Sequence, residues 1–170
     1  MSTIYWIKKQ ADRHVAGRFA IVTRPRGNEW LADDVRALRE QGVNVLVSFL
    51  ESKEQSELGL TSEPIVAEEM GIRYLNFPIP DFQVPDSLQG TRLFIQQIVQ
   101  LLDEGRTVGI HCRQSVGRSG LISAAVLVEQ GDRAEEAFAR VEKARGCSVP
   151  DTPEQRQWVE RYAKMISRSI

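Results

Sequence analysis

The sequence predicts an α/β fold in which helices flank a central, mostly parallel sheet. Short apolar runs, rich in β-branched residues, alternate along the chain with longer segments of helical periodicity. Glycines follow several of the helical segments, as expected of helix ends. One apolar run, which ends in His111-Cys112, is followed five residues later by Arg118 and a second apolar segment. This order is typical of a strand, a tight loop and a buried helix.

The first half of the chain begins with β-type segments. Residues 3–7 and 17–23 are rich in branched and aromatic side chains, and residues 43–50 are apolar enough for a buried strand. Asn28 is a plausible cap for a helix that ends before Gly42, because apolar residues recur at helical spacing between them. We expect a polar loop over residues 51–62, a helix that starts at Glu63-Pro64 and runs to Met70, and a strand over 72–77.

The second half is mainly helical. A proline-punctuated loop over residues 78–85 leads into an amphipathic helix that starts at Pro85-Asp86 and ends at Gly105. The strand that ends at His111 and the helix 121–128 follow. Asp132 is a plausible cap for a helix over residues 134–144, and Asp151-Thr152-Pro153-Glu154 opens the last helix.

The bulk composition indicates a single globular domain spanning residues 1–170. Apolar residues make up 42% and the net charge is −1, so no nucleic-acid or acidic-membrane partner is expected. The only two cysteines, Cys112 and Cys147, do not form a disulfide framework, which favours a reducing, cytoplasmic setting. No apolar run approaches the ~20 residues of a membrane span or resembles a secretory leader.

The loop between Cys112 and Arg118 has the features of an anion site. Its backbone N–H groups can turn inward as a nest, and the following helix adds its positive N-terminal end. A thiolate at Cys112 is stabilised by this field. The Arg118 fork can hold two phosphate oxygens, and Gly117 suits a close approach to the ligand.

These residues resemble the signature of the cysteine-based protein tyrosine phosphatases, His-Cys-(five residues)-Arg-Ser, and the order of elements is similar to the small dual-specificity branch. The resemblance covers roughly residues 13–165. It implies that Cys112 is the nucleophile, that Ser119 donates to the sulfur, and that His111 tunes the thiolate. No metal or cofactor is implied. The phosphoryl group would be bound by Arg118 and by the backbone of the loop residues Arg113, Gln114, Ser115, Val116 and Gly117.

The resemblance also implies a general acid in the loop before the long helix. Asp81, in Pro80-Asp81-Phe82, would protonate the leaving oxygen and then accept a proton from the attacking water. Asp86 is the competing candidate, although capping of the helix explains it without catalysis.

Three departures from the family pattern stand out. The second and third loop positions, commonly small residues such as Ala-Gly, are Gln114 and Ser115, and a positive φ at Ser115 would cost roughly 1 kcal/mol. In the stretch that contributes water-positioning glutamines in the tyrosine-specific branch, Asp151 replaces the first glutamine and Gln155 keeps the second. Arg113 is the only basic residue among the five between Cys112 and Arg118, which argues against a polyphosphoinositide substrate.

The expected function is therefore metal-independent hydrolysis of phosphotyrosine, and of phosphoserine or phosphothreonine, in a phosphorylated protein by a monomeric enzyme. Two alternatives remain open. In the first, the enzyme acts on a non-protein phosphate, such as an RNA 5′ end or a lipid head group. In the second, the protein is a phosphate-binding module with little turnover. A rhodanese-like sulfur transferase also uses a cysteine loop. It would need neither the Asp81 loop nor the Cys-to-Arg spacing, so these two features favour a phosphatase.

Overall fold

A computed structural model describes residues 1–169. Five strands form one sheet in the order β1-β2-β5-β3-β4. Their bounds are β1 Ile4–Ile7, β2 Arg18–Val22, β3 Val45–Ser48, β4 Arg73–Asn76 and β5 Thr107–His111. The edge pair β1–β2 is antiparallel and the other three pairs are parallel. The predicted α/β class with a mostly parallel sheet is confirmed.

The strand β5 lies at the centre of the sheet, between β2 and β3. Ile110 of β5 pairs with Ile21 on one side and Val47 on the other. Because ligands of parallel sheets bind beyond the carboxyl ends of the strands, residues that follow β5 lie where a site is expected.

Seven helices and one short 3₁₀ turn surround the sheet within residues 1–169. Their bounds are the 3₁₀ turn Asn28–Trp30, α1 Leu31–Glu40, α2 Ser52–Glu57, α3 Glu63–Glu69, α4 Leu88–Asp103, α5 Gly117–Glu129, α6 Ala134–Arg145 and α7 Pro153–Ser167. One apolar core packs α4–α7 on one face of the sheet, and a smaller core packs α1 and α3 on the other. Twelve of the thirteen residues of α5 are buried, which fits its nearly continuous apolar sequence.

Four local predictions differ from the structure. Residues 51–62 are not a continuous loop, because Ser52–Glu57 forms α2. Asn28 has a φ of 55° and belongs to the 3₁₀ turn, so it does not cap α1. Ser87 caps α4 by accepting from the Gly90 N–H at 3.0 Å, so the helix starts after Asp86. Asp132 is buried between arginines, and the position that caps α6 is Arg133.

Among the helices of residues 1–169, none has the length and apolar character that a membrane span requires.

Candidate active site

The predicted loop connects the central strand to a buried helix, as the sequence indicates. Cys112 follows β5 directly, and α5 begins at Gly117. Cys112 is 2% exposed and Arg118 is 1% exposed, so both side chains lie inside the protein. A guanidinium at the start of a helix receives no support from the helix dipole, so its neighbours must stabilise it.

Glu54 of α2 is the principal partner of Arg118. Nη1 and Nη2 donate to Oε2 and Oε1 of Glu54, both at 2.8 Å, which is the bidentate geometry of a strong pair. Nη1 also donates to the Ile79 carbonyl at 2.8 Å. Nε is buried and has no partner within the described part of the chain. This free Nε–H is a donor available to an anion.

The charges of the two groups stabilise each other. Burial opposes ionisation of Glu54, but the hydrogen bonds from Arg118 and from the Glu51 N–H outweigh it, so the pKa of Glu54 lies below its ordinary value. Burial likewise lowers the pKa of Arg118, whereas the hydrogen bond to Glu54 and the charge of Cys112 raise it further than burial lowers it. Arg118 is therefore a permanent cation at this site.

Asp81 reaches the same guanidinium from the loop after β4. Its Oδ1 lies 3.0 Å from Arg118 Nη2, and the carboxylate is about one-third exposed. Asp86, its competitor in the sequence, is exposed and precedes the cap of α4. The structure thus brings Asp81 together with Arg118 and leaves Asp86 at the surface.

The loop backbone is held from outside. Ser115 has a φ of 58°, the positive value that the family pattern suggests for this position, and its Oγ donates to the Val22 carbonyl at 2.7 Å. Arg145, at the end of α6, donates from Nε to the Ser115 carbonyl at 2.9 Å and from Nη2 to the Gln114 carbonyl at 3.3 Å. Carbonyl groups of the loop therefore point toward Arg145, away from the anion site expected inside the loop.

Val116 is the last residue of the loop, at the N-cap position of α5. Its carbonyl accepts from the Gly120 N–H at 2.9 Å, and its half-buried side chain packs against the main apolar core. The Val116 side chain is thus structural, and only its backbone N–H is left for the predicted contact with phosphate. Gln114 is exposed and Arg113 is half-buried, so neither side chain is enclosed with Cys112.

The backbone N–H groups of residues 113–117 meet the requirement of an anion nest. Among the hydrogen bonds within residues 1–169, none is donated by these five groups. Backbone donors without a protein acceptor are available to phosphate oxygens. Phosphate binding by Arg113, Gln114, Ser115, Val116 and Gly117 through their backbone stays a prediction.

Beneath the loop, His111 is paired with a carboxylate. Its Nε2 lies 2.6 Å from Oε1 of Glu63 in α3, and both side chains are fully buried. The other ring nitrogen lies 3.3 Å from the Cys112 carbonyl. This arrangement fixes the ring orientation. The Ser119 hydroxyl is buried without a hydrogen-bond partner among residues 1–169, so its predicted donation to the sulfur stays a prediction.

The segment before α7 lies against the same loop. Gln155 is buried, and its Oε1 accepts from the N–H groups of Asp151 and Thr152, while its Nε2 donates to the Gln83 carbonyl. Gln155 thus ties α7 to the loop that carries Asp81. The Asp151 carboxylate lies directly beside Gly117, since a Cβ at that position would collide with its Oδ2.

Sequence reasoning missed Glu54, Glu63 and Arg145. Each lies on a helix remote in sequence from the loop, and a Glu or Arg in a helix has no local pattern that distinguishes a buried partner from a solvated side chain. The capping box of α2, in which Glu54 returns to the Glu51 N–H at 3.0 Å, is a local signal that predicts the helix but not the ion pair.

Comparisons with known proteins agree with this fold. A buried Cys-(five residues)-Arg loop between a central parallel strand and a helix defines a phosphatase class. The family model described as "Tc-R-P: Polymorphic toxin system, DSP-PTPase phosphatase" matches residues 20–132. The chain belongs to this family of dual-specificity and protein tyrosine phosphatases, and the predicted family is confirmed.

Individual relatives differ in the substrates that their names state. A protein of Arabidopsis thaliana, "Phosphatidylinositol 3,4,5-trisphosphate 3-phosphatase and protein-tyrosine-phosphatase PTEN1", is 34% identical over an alignment of 104 residues that covers 57% of this chain and 24% of that protein. The chain thus matches about a quarter of the length of this relative.

Solved structures match over nearly the whole chain. Tk-PTP in its active form is 26% identical with a TM-score of 0.74, covering 95% of this chain and 96% of that one. The kinase associated phosphatase KAP is 18% identical, has a TM-score of 0.84 and covers 97% and 96%. PTPMT1 in complex with PI(5)P is 19% identical, with a TM-score of 0.70 and coverage of 88% and 93%. The last two likenesses concern the fold.

Proposed function

We propose that this phosphatase hydrolyses phosphotyrosine, together with phosphoserine or phosphothreonine, in proteins through a phosphocysteine at Cys112, without a metal or cofactor, as a single-domain, monomeric, cytoplasmic enzyme. The observation that carries the chemistry is the convergence of three side chains on one loop. Arg118 is buried behind Cys112 with a free Nε–H, and the Asp81 carboxylate contacts its Nη2.

In the first step the Cys112 sulfur attacks phosphorus, the P–O bond to the substrate breaks, and Asp81 gives its proton to the departing oxygen. Arg118 stabilises the charge on the equatorial oxygens, together with the N–H groups of residues 113–118. Because Glu54 holds the outer edge of the guanidinium, the edge left for a phosphate is Nε and Nη2. A phosphate oxygen bound there competes with Asp81 for Nη2 and releases the carboxyl group toward the leaving oxygen.

In the second step a water oxygen attacks phosphorus and gives up its proton to a carboxylate at the site, while the P–S bond breaks and its electron pair returns to sulfur as the thiolate. The buried Ser119 hydroxyl is a donor that would stabilise this leaving group. His111, held by Glu63, orders the start of the loop.

The charges around the loop favour a singly phosphorylated protein side chain over a polyphosphorylated head group. Arg113 is the only basic side chain within the loop apart from Arg118, and it lies 3.7 Å from Glu57 and 4.0 Å from Glu54. Asp81 and Asp151 add negative charge at the same site. Additional phosphates on an inositol ring would meet carboxylates there rather than lysines.

Phe82 supports an aromatic substrate. It is 60% exposed although it adjoins Asp81, and its φ of 60° is costly for a bulky residue. An exposed aromatic ring next to Asp81 can stack on the ring of a bound phosphotyrosine.

A panel of one peptide sequence carrying phosphotyrosine or phosphoserine, with soluble phosphatidylinositol phosphates, tests the substrate class. We expect hydrolysis of both peptides. Phe82→Ala is expected to lower kcat/KM for phosphotyrosine roughly fivefold, the worth of one aromatic contact, and to leave phosphoserine within about twofold. Leu93→Ala, which removes an exposed apolar side chain on α4, serves as the control. Hydrolysis of the lipids alone would contradict the proposal.

A phosphoinositide is the second candidate substrate, because the name of the 34% identical relative includes a lipid phosphatase activity. Comparing hydrolysis of the phosphatidylinositol phosphates with hydrolysis of the phosphopeptides in the same panel decides between a lipid and a protein substrate.

A further inference from the structure

Asp151 is a carboxylate at the phosphate site that helix capping does not explain. The cap of α7 is Thr152, whose Oγ1 accepts from the Gln155 N–H at 3.1 Å. The hydrogen bonds of residues 1–169 include the backbone N–H of Asp151 but not its carboxylate. An acidic group without a structural partner is thus fixed by its backbone at the start of a helix.

The carboxylate faces the binding loop. Its Oδ2 occupies the space that a side chain at position 117 would need. Gly117 adjoins Arg118, whose guanidinium contacts Asp81, so the three charged groups lie around one site. Burial and the charge of Asp81 both raise the pKa of Asp151, which suits a proton acceptor, while Arg118 acts in the opposite direction.

A negative group beside a phosphate site weakens anion binding, so a chemical role is needed to explain its presence. Removal of a proton from water in the second step is such a role. Water must attack phosphorus from the side opposite sulfur, the side from which the alcohol departed, and must lose a proton. Two carboxylates border the site, and Asp81 is the one in contact with Arg118.

We propose that Asp151 is the base of the second step, while Asp81 serves the leaving alcohol in the first. This inference rests on the proposed function, because it needs the phosphocysteine. The water oxygen forms a bond to phosphorus, the P–S bond breaks, and the electron pair returns to the Cys112 sulfur. The water proton passes to the Asp151 carboxylate, and inorganic phosphate leaves. Asp81 would otherwise perform both proton transfers.

Rapid mixing of the full chain with para-nitrophenyl phosphate separates the two steps. For Asp151→Asn we expect a burst of nitrophenol close to one per enzyme, followed by turnover lowered about 100-fold, the usual contribution of a general base. Acid quenching should then reveal a phosphorylated Cys112 that accumulates in this variant. Asp81→Asn should instead lose the burst, and Asp86→Asn, on the exposed neighbouring segment, serves as the control.

Asp151→Gln tests whether the group moves a proton or only orients water. An amide can hold the water but cannot accept its proton, so we expect the same slow second step. Turnover of Asp151→Gln or Asp151→Asn at the wild-type rate would overturn the proposal. So would loss of the burst in a variant whose melting temperature is unchanged. If the wild type itself forms no phosphocysteine, the proposed function is wrong. This result differs from one in which the wild type forms the phosphocysteine and the Asp151 variants turn over normally, which contradicts only the role of Asp151.

Discussion

Arg118 shows how one buried cation is held in readiness for an anion. Two hydrogen bonds to Glu54 and one to the Ile79 carbonyl fix the guanidinium, so little rotamer entropy remains to be lost when phosphate binds. In the proposed reaction, the phosphate binds the free Nε–H and displaces Asp81 from Nη2. Glu54 therefore sets the orientation of the Arg118 guanidinium.

Replacing Glu54 should destabilise the fold in a pH-dependent way. Glu54→Gln removes the principal counter-charge of Arg118 and leaves only the partly exposed Asp81 in contact with it, and we expect a loss of about 3 kcal/mol in the free energy of unfolding at pH 7. We take the lower end of the range for buried pairs because the Glu54 side chain is 10% exposed. The folded-state pKa lies below 4.5, so this contribution is complete above that pH and disappears as pH falls through the lowered value.

Urea unfolding of both proteins between pH 7 and pH 3 measures this difference. The gap between wild type and Glu54→Gln should narrow toward acid. Glu57→Gln, an exposed neighbour on α2, should change stability by no more than about 0.5 kcal/mol. A gap that stays constant with pH would mean that the Glu54 charge does not stabilise the fold.

At the scale of elements, α6 and α7 hold the two loops of the site, the loop between Cys112 and Arg118 and the loop that carries Asp81. Arg145 at the end of α6 holds two loop carbonyls, and Gln155 of α7 joins the loop of Asp81. Ser115 accepts the strain of a positive φ where glycine would have none, and its hydroxyl bond to the Val22 carbonyl offsets part of that cost. The shape of the loop thus depends on elements outside the signature.

Arg145→Ala should weaken oxyanion binding without direct contact with the anion. Loss of two charge-assisted hydrogen bonds frees the loop carbonyls, and we expect the Kd of vanadate to rise about tenfold. Arg145→Lys should recover only part of this, because an ammonium lacks the planar fork. The matched control is Lys143→Ala, on the same helix. Equal vanadate affinity in Arg145→Ala and Lys143→Ala would show that the hydrogen bonds of Arg145 to the loop carbonyls do not support anion binding.

Elements with local signals were predictable from the sequence. All five strands and the loop between Cys112 and Arg118 follow from periodicity and loop chemistry, whereas a positive φ at Ser115 was suggested only by the resemblance to the family pattern. The helix α2 was missed because its polar sequence has no apolar stripe, and Glu54 is buried through a partner 64 residues away. Pairs such as His111–Glu63 are likewise products of the tertiary fold, so no pattern within either segment reveals them.

For the whole molecule, the sheet order brings together groups that are far apart in the chain. Cys112 follows the central strand, Asp81 follows the edge strand β4, and Asp151 precedes the last helix. The family match establishes a phosphatase, and the chemical roles of these three residues are the central proposal.

The most direct test is hydrolysis of para-nitrophenyl phosphate in the presence of chelator by wild type, Cys112→Ser, Asp81→Ala and Asp86→Ala. We expect metal-independent activity that Cys112→Ser abolishes. Asp81→Ala should lower it about 100-fold, the contribution of a general acid, while Asp86→Ala leaves it unchanged. Activity that survives in Cys112→Ser, or an inactive wild type that still binds vanadate, would contradict the phosphocysteine mechanism.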